Sequence, residues 1–198
     1  MSPRGVATPD IRERLFAAAE QVLGRDGAAA LTSRAITGEA GCAKGMLHAH
    51  FAGLDEFIAE LVLDRFARTA RQAADLADRI GRDTVAANLD GIAVALLDSA
   101  GPTVAALAVS RPAASERIRD ALAGGAPGFT AIQESITAYL DGERRLGRVA
   151  ADADTASPAL ALVGTVHHLL MTGGPGGPDA AREQVRSLTA LLAQGCSD

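Results

Sequence analysis

Cysteine is scarce in this 198-residue sequence. Only Cys42 and Cys196 occur, and neither has a Cys or His partner at metal-ligand spacing, which argues against a disulfide framework and against a zinc site. A reducing cytoplasm is the compartment that fits. Long apolar runs are missing as well. No stretch approaches the roughly 20 residues needed to cross a bilayer, and the opening MSPRGVATPD lacks the apolar core of a signal peptide. Neither membrane insertion nor export is expected. Catalytic signatures are absent too: no nucleophile stands beside a base partner, and no Glu-x-x-His repeat would hold a metal pair in a bundle. The Gly-rich TGGPGGPD, Thr172 to Asp179, lacks the GK[ST] ending of a phosphate loop and reads as a connector. The expectation is a protein that is not an enzyme, with no catalytic residue, metal or cofactor.

What is present is helical period. Hydrophobic residues make up 48% and charged residues 22%, the balance of a folded soluble chain. Gly and Pro fall at joints between periodic segments, and strand signals are absent, so the fold class is all-α. Asp10 can cap a helix in which Ile11, Leu15, Ala19 and Val22 recur at spacings of four, four and three, ending at GRDG, Gly24 to Gly27. Thr32 and Ser33 precede a short second helix with Ala35, Ile36 and Ala40 inward, which Gly41 stops. AKGMLHAHF then offers a third helix, Ala43 to His50, with Leu47 and Phe51 on one face.

From Leu54 to about Ile80 one long amphipathic helix is predicted through Phe57, Ile58, Leu61, Val62, Phe66, Ala70, Ala73, Leu76 and Ala77, a segment able to join two domains. Helices follow from Val85, Leu89, Ile92 and Leu96, and from Phe129, Ile132, Ile136 and Tyr139. Pro102 to Pro127 is less regular. Of the last two segments, Pro158 to Thr172 carries apolar residues on more than one face, and Pro178 to Gln194 places Val185, Leu188 and Leu192 at helical spacing.

Charge is uneven. The net charge is −5, yet residues 1–52 hold six Lys and Arg against five Asp and Glu, with His48 and His50 besides, and the remainder is acidic. A small nucleic-acid head on an acidic body has this asymmetry. The alternative is a structural helical hairpin.

LTSRAITGEAGCAKGMLHAHF, Leu31 to Phe51, preceded by IRERLFAAAEQVLGRDG and followed by GLDEFIAELVLDRF, resembles the N-terminal DNA-binding domain of TetR family transcriptional regulators. The likeness covers about the first 65 residues. It implies a three-helix helix-turn-helix head at 1–52, a helical effector-binding and dimerisation body at 53–198, and a homodimer through the last two helices. Partners would be a double-stranded DNA operator and a small-molecule effector, and the role that of a repressor. The short AKG, Ala43 to Gly45, would let the backbone approach base edges in the major groove. Lys44 can reach phosphate or guanine, Arg34 suits guanine O6 and N7, and Thr32 and Ser33 can hold phosphate. His50 matches a phosphate position of the family.

The family usually has a hydroxyl residue at Ala43, Thr or Ser at Met46, Tyr at His48 and Lys at Leu54. His48 can replace a Tyr donor, and Met46 can meet a thymine methyl. His48 and His50 are two apart and point to different faces, so they do not form a metal pair. Effector-lining candidates in the body are Phe66, Leu96, Phe129, Tyr139 and His167, with Tyr139 and His167 as polar handles for a small, largely apolar ligand. The alternative functions are a helical binding protein with a degenerate head and a helical-bundle enzyme.

Overall fold

The computed structural model describes residues 10–99, 107–108, 110–172 and 176–196, and among these no strand occurs. The helices are α1 (Ile11–Asp26), α2 (Ser33–Glu39), α3 (Met46–His50), α4 (Leu54–Ala74), α5 (Val85–Leu97), α6 (Pro112–Ala123), α7 (Phe129–Arg145), α8 (Ala156–Thr172) and α9 (Gly177–Gly195), with 3-10 turns at Ala28–Ala30 and Asp75–Arg79. The all-α expectation holds.

Local chemistry sets most boundaries. Asp10 caps α1 by accepting from the Arg12 amide at 3.3 Å, and Gly27, at φ 79°, turns the chain out of it. Thr32 caps α2, its hydroxyl accepting from the Ala35 amide at 3.1 Å. Thr84 does the same for α5 toward Ala87 at 3.1 Å. Two boundaries differ from the sequence reading. The third helix starts at Met46, not Ala43, because no side chain caps it and Gly45 is a poor helix former; residues 43–45 form a turn closed by Met46 N–H to Ala43 C=O at 2.9 Å. The long amphipathic helix tightens into a 3-10 turn at Asp75, which keeps Leu76 buried and leaves Ala77 exposed.

The described residues pack as two compact units. The first holds residues 10–61 with 107–108 and 110–118. Its core includes Leu15, Leu31, Ile36, Leu47 and Ile58, and three rings meet in it: Phe16 with Phe57 at 5.4 Å and Phe51 with Phe57 at 5.0 Å between centroids. Phe57 lies in α4, and the two compact units meet inside that helix, between Leu61 and Val62. Arg111, just before α6, is ion-paired with Asp55 of α4 within this unit.

The second unit holds residues 62–99, 119–172 and 176–196, with Leu89, Ile92, Leu96, Ile132, Ile136, Leu140, Leu162, Val166 and Val185 in its core. Gly142 of α7 is required there by close approach. A Cβ at that position would lie 2.5 Å from Ile80 Cδ1.

Candidate nucleic-acid interface

The head is held together from the α1 side. Arg14 donates from Nη2 to the Ala40 carbonyl at 2.8 Å, tying α1 to the end of α2. Arg25 pairs with Asp26 and with Glu39, the latter at 2.9 Å. Arg12 pairs with Glu60 and stands 4.8 Å above the Phe51 ring. In the turn, Gly41 takes φ 61°, a left-handed value that suits glycine, and the Cys42 amide donates to the Thr37 carbonyl at 3.0 Å. Cys42 is half-buried, and Thr37 is buried with its hydroxyl on the Ser33 carbonyl at 2.9 Å.

None of the nine head candidates is buried. Thr32, Arg34, Ala43, Lys44, Gly45, His48 and His50 are exposed, and Ser33 and Met46 are half-buried. Leu47, on the inner face of α3, is fully buried. Arg34 and Lys44 make no ion pair among the described residues, whereas Arg12, Arg14 and Arg25 are all engaged in holding the head together. The cations thus divide into internal clamps and two side chains free to meet an external anion. The Thr32 hydroxyl is already occupied as a helix cap, so its oxygen approaches phosphate only through its remaining valences.

The body candidates separate into two groups. Phe66, Phe129 and His167 come together, Phe66 to Phe129 at 5.1 Å and Phe129 edge-on to His167 at 4.8 Å; the two Phe are half-buried and His167 is exposed. Leu96 and Tyr139 are packed into the core of the body. The Tyr139 hydroxyl accepts from Asn88 Nδ2 at 2.9 Å and lies beside Glu143, a fully buried carboxylate. Burial first, then Glu143, pushes the Tyr139 phenol up to about 12. Glu143 accepts the Gly81 amide on Oε1 at 3.0 Å, and its Oε2 is 3.2 Å from Arg148 Nε.

This polar network was missed in the sequence, although Glu143 continues the inward spacing of Ile132, Ile136 and Tyr139. Two concavities also lie in the body, one of about 760 Å³ bordered by Thr84, Arg148 and Gln194 among others, and one of about 250 Å³ between the Asp75–Arg79 turn and α5. None of the five candidates lines either. The described residues contain no group of three or more potential metal ligands, and no described helix is long and apolar enough to cross a membrane.

Residues 15–61 match the family described as bacterial regulatory proteins, tetR family. No curated protein matches the sequence significantly. Among solved structures, one from Mesorhizobium loti assigned to the TetR-family transcriptional regulators is 14% identical with a TM-score of 0.71, covering 96% of this chain and 98% of that one. FadR from Bacillus subtilis, solved with stearoyl-CoA, is 15% identical with a TM-score of 0.63, covering 92% and 98%. The ketosteroid regulator KstR2 of Mycobacterium tuberculosis is 21% identical with a TM-score of 0.57, covering 96% and 97%. At these identities the structural likeness establishes the fold, and the matched segment spans α1 to the first part of α4, the elements that build the head. Residues 15–61 thus match the tetR-family N-terminal domain, and the described chain has the fold of the TetR-family structures.

Proposed function

We propose that the protein is a homodimeric repressor that binds an inverted-repeat operator in double-stranded DNA and is released by a small, largely apolar effector. The observation that carries the DNA reading is the division of cations in the head. Arg34 and Lys44 are exposed and unpaired on the helix-turn-helix while their neighbours are consumed by internal contacts. Exposed, unpaired guanidinium and ammonium groups suit a guanine edge and a phosphate respectively. Thr32, Ser33, Ala43, Gly45, Met46, His48 and His50 complete the surface offered to the duplex.

In the body, the Phe66, Phe129 and His167 cluster is the lining for the effector, with Leu96 and Tyr139 as further candidates. FadR solved with stearoyl-CoA and the ketosteroid regulator KstR2 share the fold, which supports an effector of apolar character. Binding there would favour a body state whose paired heads mismatch the operator, with α4, whose residues belong to both units, carrying the change. The dimer reading rests on α8 and α9, where Leu160 and Leu191 are 58% and 64% exposed. Large apolar side chains so exposed suit a self-complementary interface. No catalytic step is part of the proposal.

The short, uncapped α3 favours a second reading, a helical binding protein whose head no longer recognises DNA. Selection from random duplexes separates the two. Repressor function predicts enrichment of an inverted repeat with half-sites about 10 base pairs apart, or a small multiple of that; enrichment of no sequence leaves the second reading.

A further inference from the structure

The smaller concavity of the body is a groove whose polar side chains Gln72, Asp75 and Arg79 are exposed. It is lined by Gln72, Asp75, Leu76, Arg79, Ala87, Asn88, Gly91, Ile92 and Ala95, and its volume is about 250 Å³, below the roughly 300 Å³ at which pockets for drug-sized ligands begin. Asp75 and Arg79 are four residues apart, the spacing of an α-helical ion pair, but they lie in a 3-10 turn. There i and i+3 eclipse and i+4 is rotated away. Neither pairs with the other or with any described residue, and the Gln72 side chain has no partner among them either.

Asn88 is 3% exposed. Both of its amide donations are committed inward, to the Arg82 carbonyl and the Tyr139 hydroxyl, each at 2.9 Å. Asn88 lines the groove, and its Oδ1 accepts nothing from the described residues while not being among the sealed, unsatisfied atoms of the core. An acceptor that is not sealed and has no protein partner is open to a donor from outside the protein. Gly91 adds to the case. It sits inside α5, where glycine is a poorer helix former than alanine, but a Cβ there would meet nothing within 4 Å. Neither packing nor a left-handed φ asks for glycine at this position. Its effect is to keep the groove open.

We infer that this groove is a binding site for a small zwitterion of the α-amino-acid type, separate from the Phe66, Phe129 and His167 cluster. The ligand ammonium meets the Asp75 carboxylate and Asn88 Oδ1, its carboxylate meets the Arg79 guanidinium and the Gln72 amide, and Leu76, Ile92 and Ala95 cover its carbon atoms. One charge of each sign at the rim selects against a plain amine or a plain acid, which would leave the opposite protein charge unmatched.

The test is a nitrogen-15 NMR titration of the full chain with standard L-amino acids to about 10 mM, a range that detects even millimolar affinity. The strongest binder is then repeated as its decarboxylated amine and its deaminated acid. The expected result is saturable shifts at the Ala87, Asn88 and Gly91 amides. Removal of either charge from the ligand, or Asp75→Asn or Arg79→Gln in the protein, should weaken binding by about tenfold or more. Gly91→Leu fills the groove while improving helix propensity, so it should abolish binding with the melting temperature retained. The inference is overturned if no amino acid shifts these amides, if Gly91→Leu binds like the parent, or if the amine or acid alone binds as tightly as the zwitterion.

Discussion

Arg34 and Lys44 differ in what their side chains can recognise. A guanidinium fork reads guanine O6 and N7 in the plane of the base, whereas an ammonium acts as a point charge toward phosphate. Arg34→Ala is therefore expected to cost about 1 to 3 kcal/mol on the selected operator and to relax preference at one base pair. Lys44→Ala should weaken all sequences alike and lower the salt slope by about one. Mobility shift at several salt concentrations distinguishes them, and two variants indistinguishable from the parent would remove both residues from the interface.

Tyr139 offers a second residue-scale measurement because it is the sole tyrosine and no Trp is present, so tyrosinate absorbance reports it alone. Its folded value of about 12 lies above the ordinary 10.0. Below pH 10 both states keep the proton. Between about 10 and about 12 the unfolded chain releases it first, so the stability that Tyr139 contributes declines with rising pH across that window. Absorbance in the folded protein should rise late, near 12 or together with alkaline unfolding; a transition near 10 with the fold intact would mean that the phenol is not held as described.

Among the elements, α2 depends most visibly on a single cap. It has seven residues, too few to be stable alone, and the Thr32 hydroxyl satisfies one of its free amides. Thr32→Ala should cost about 1 kcal/mol, and Thr32→Ser much less. The melting temperatures of the two variants check this, with equal values showing that the hydroxyl does not stabilise the helix. The third helix is shorter still and has no side-chain cap. Ala43 supplies no hydroxyl at the preceding turn, and α3 is anchored instead by Leu47 and the adjoining Phe51 in the aromatic core.

For the whole molecule, the proposed dimer assigns different roles to leucines of one helix. Leu188 and Leu192 of α9 pack partly against the core of their own body, whereas Leu191 points out and is 64% exposed. Leu191→Glu is accordingly the clean test, since it adds charge to the proposed interface without removing a core contact. It should convert dimer to monomer in ultracentrifugation at micromolar concentration with the melting of the body little changed at high dilution. An unmodified protein that is already monomeric there would overturn the dimer.

The sequence by itself determined the helical class, most helix positions and the place of the head, because these follow from short-range physics. Leu15, Ala19 and Val22 are four and three apart, Thr32 stands where a cap is needed, and Gly41 where the chain must reverse. Glu143 shared the inward spacing of Ile132, Ile136 and Tyr139, but periodicity reports a face and not a partner. Only the tertiary structure decided that Gly81, Arg148 and Tyr139 surround that carboxylate, from positions up to 62 residues away in sequence. The same holds for the head's cations. Arg12, Arg14, Arg25, Arg34 and Lys44 look alike in the chain, and only the packing of α1 against its neighbours engages the first three and leaves Arg34 and Lys44 facing outward. Phe129 and Tyr139 are ten residues apart on α7, about 15 Å along its axis, but that Phe66 of α4 and His167 of α8 meet Phe129 depends on how the helices pack, and no spacing along one helix encodes that.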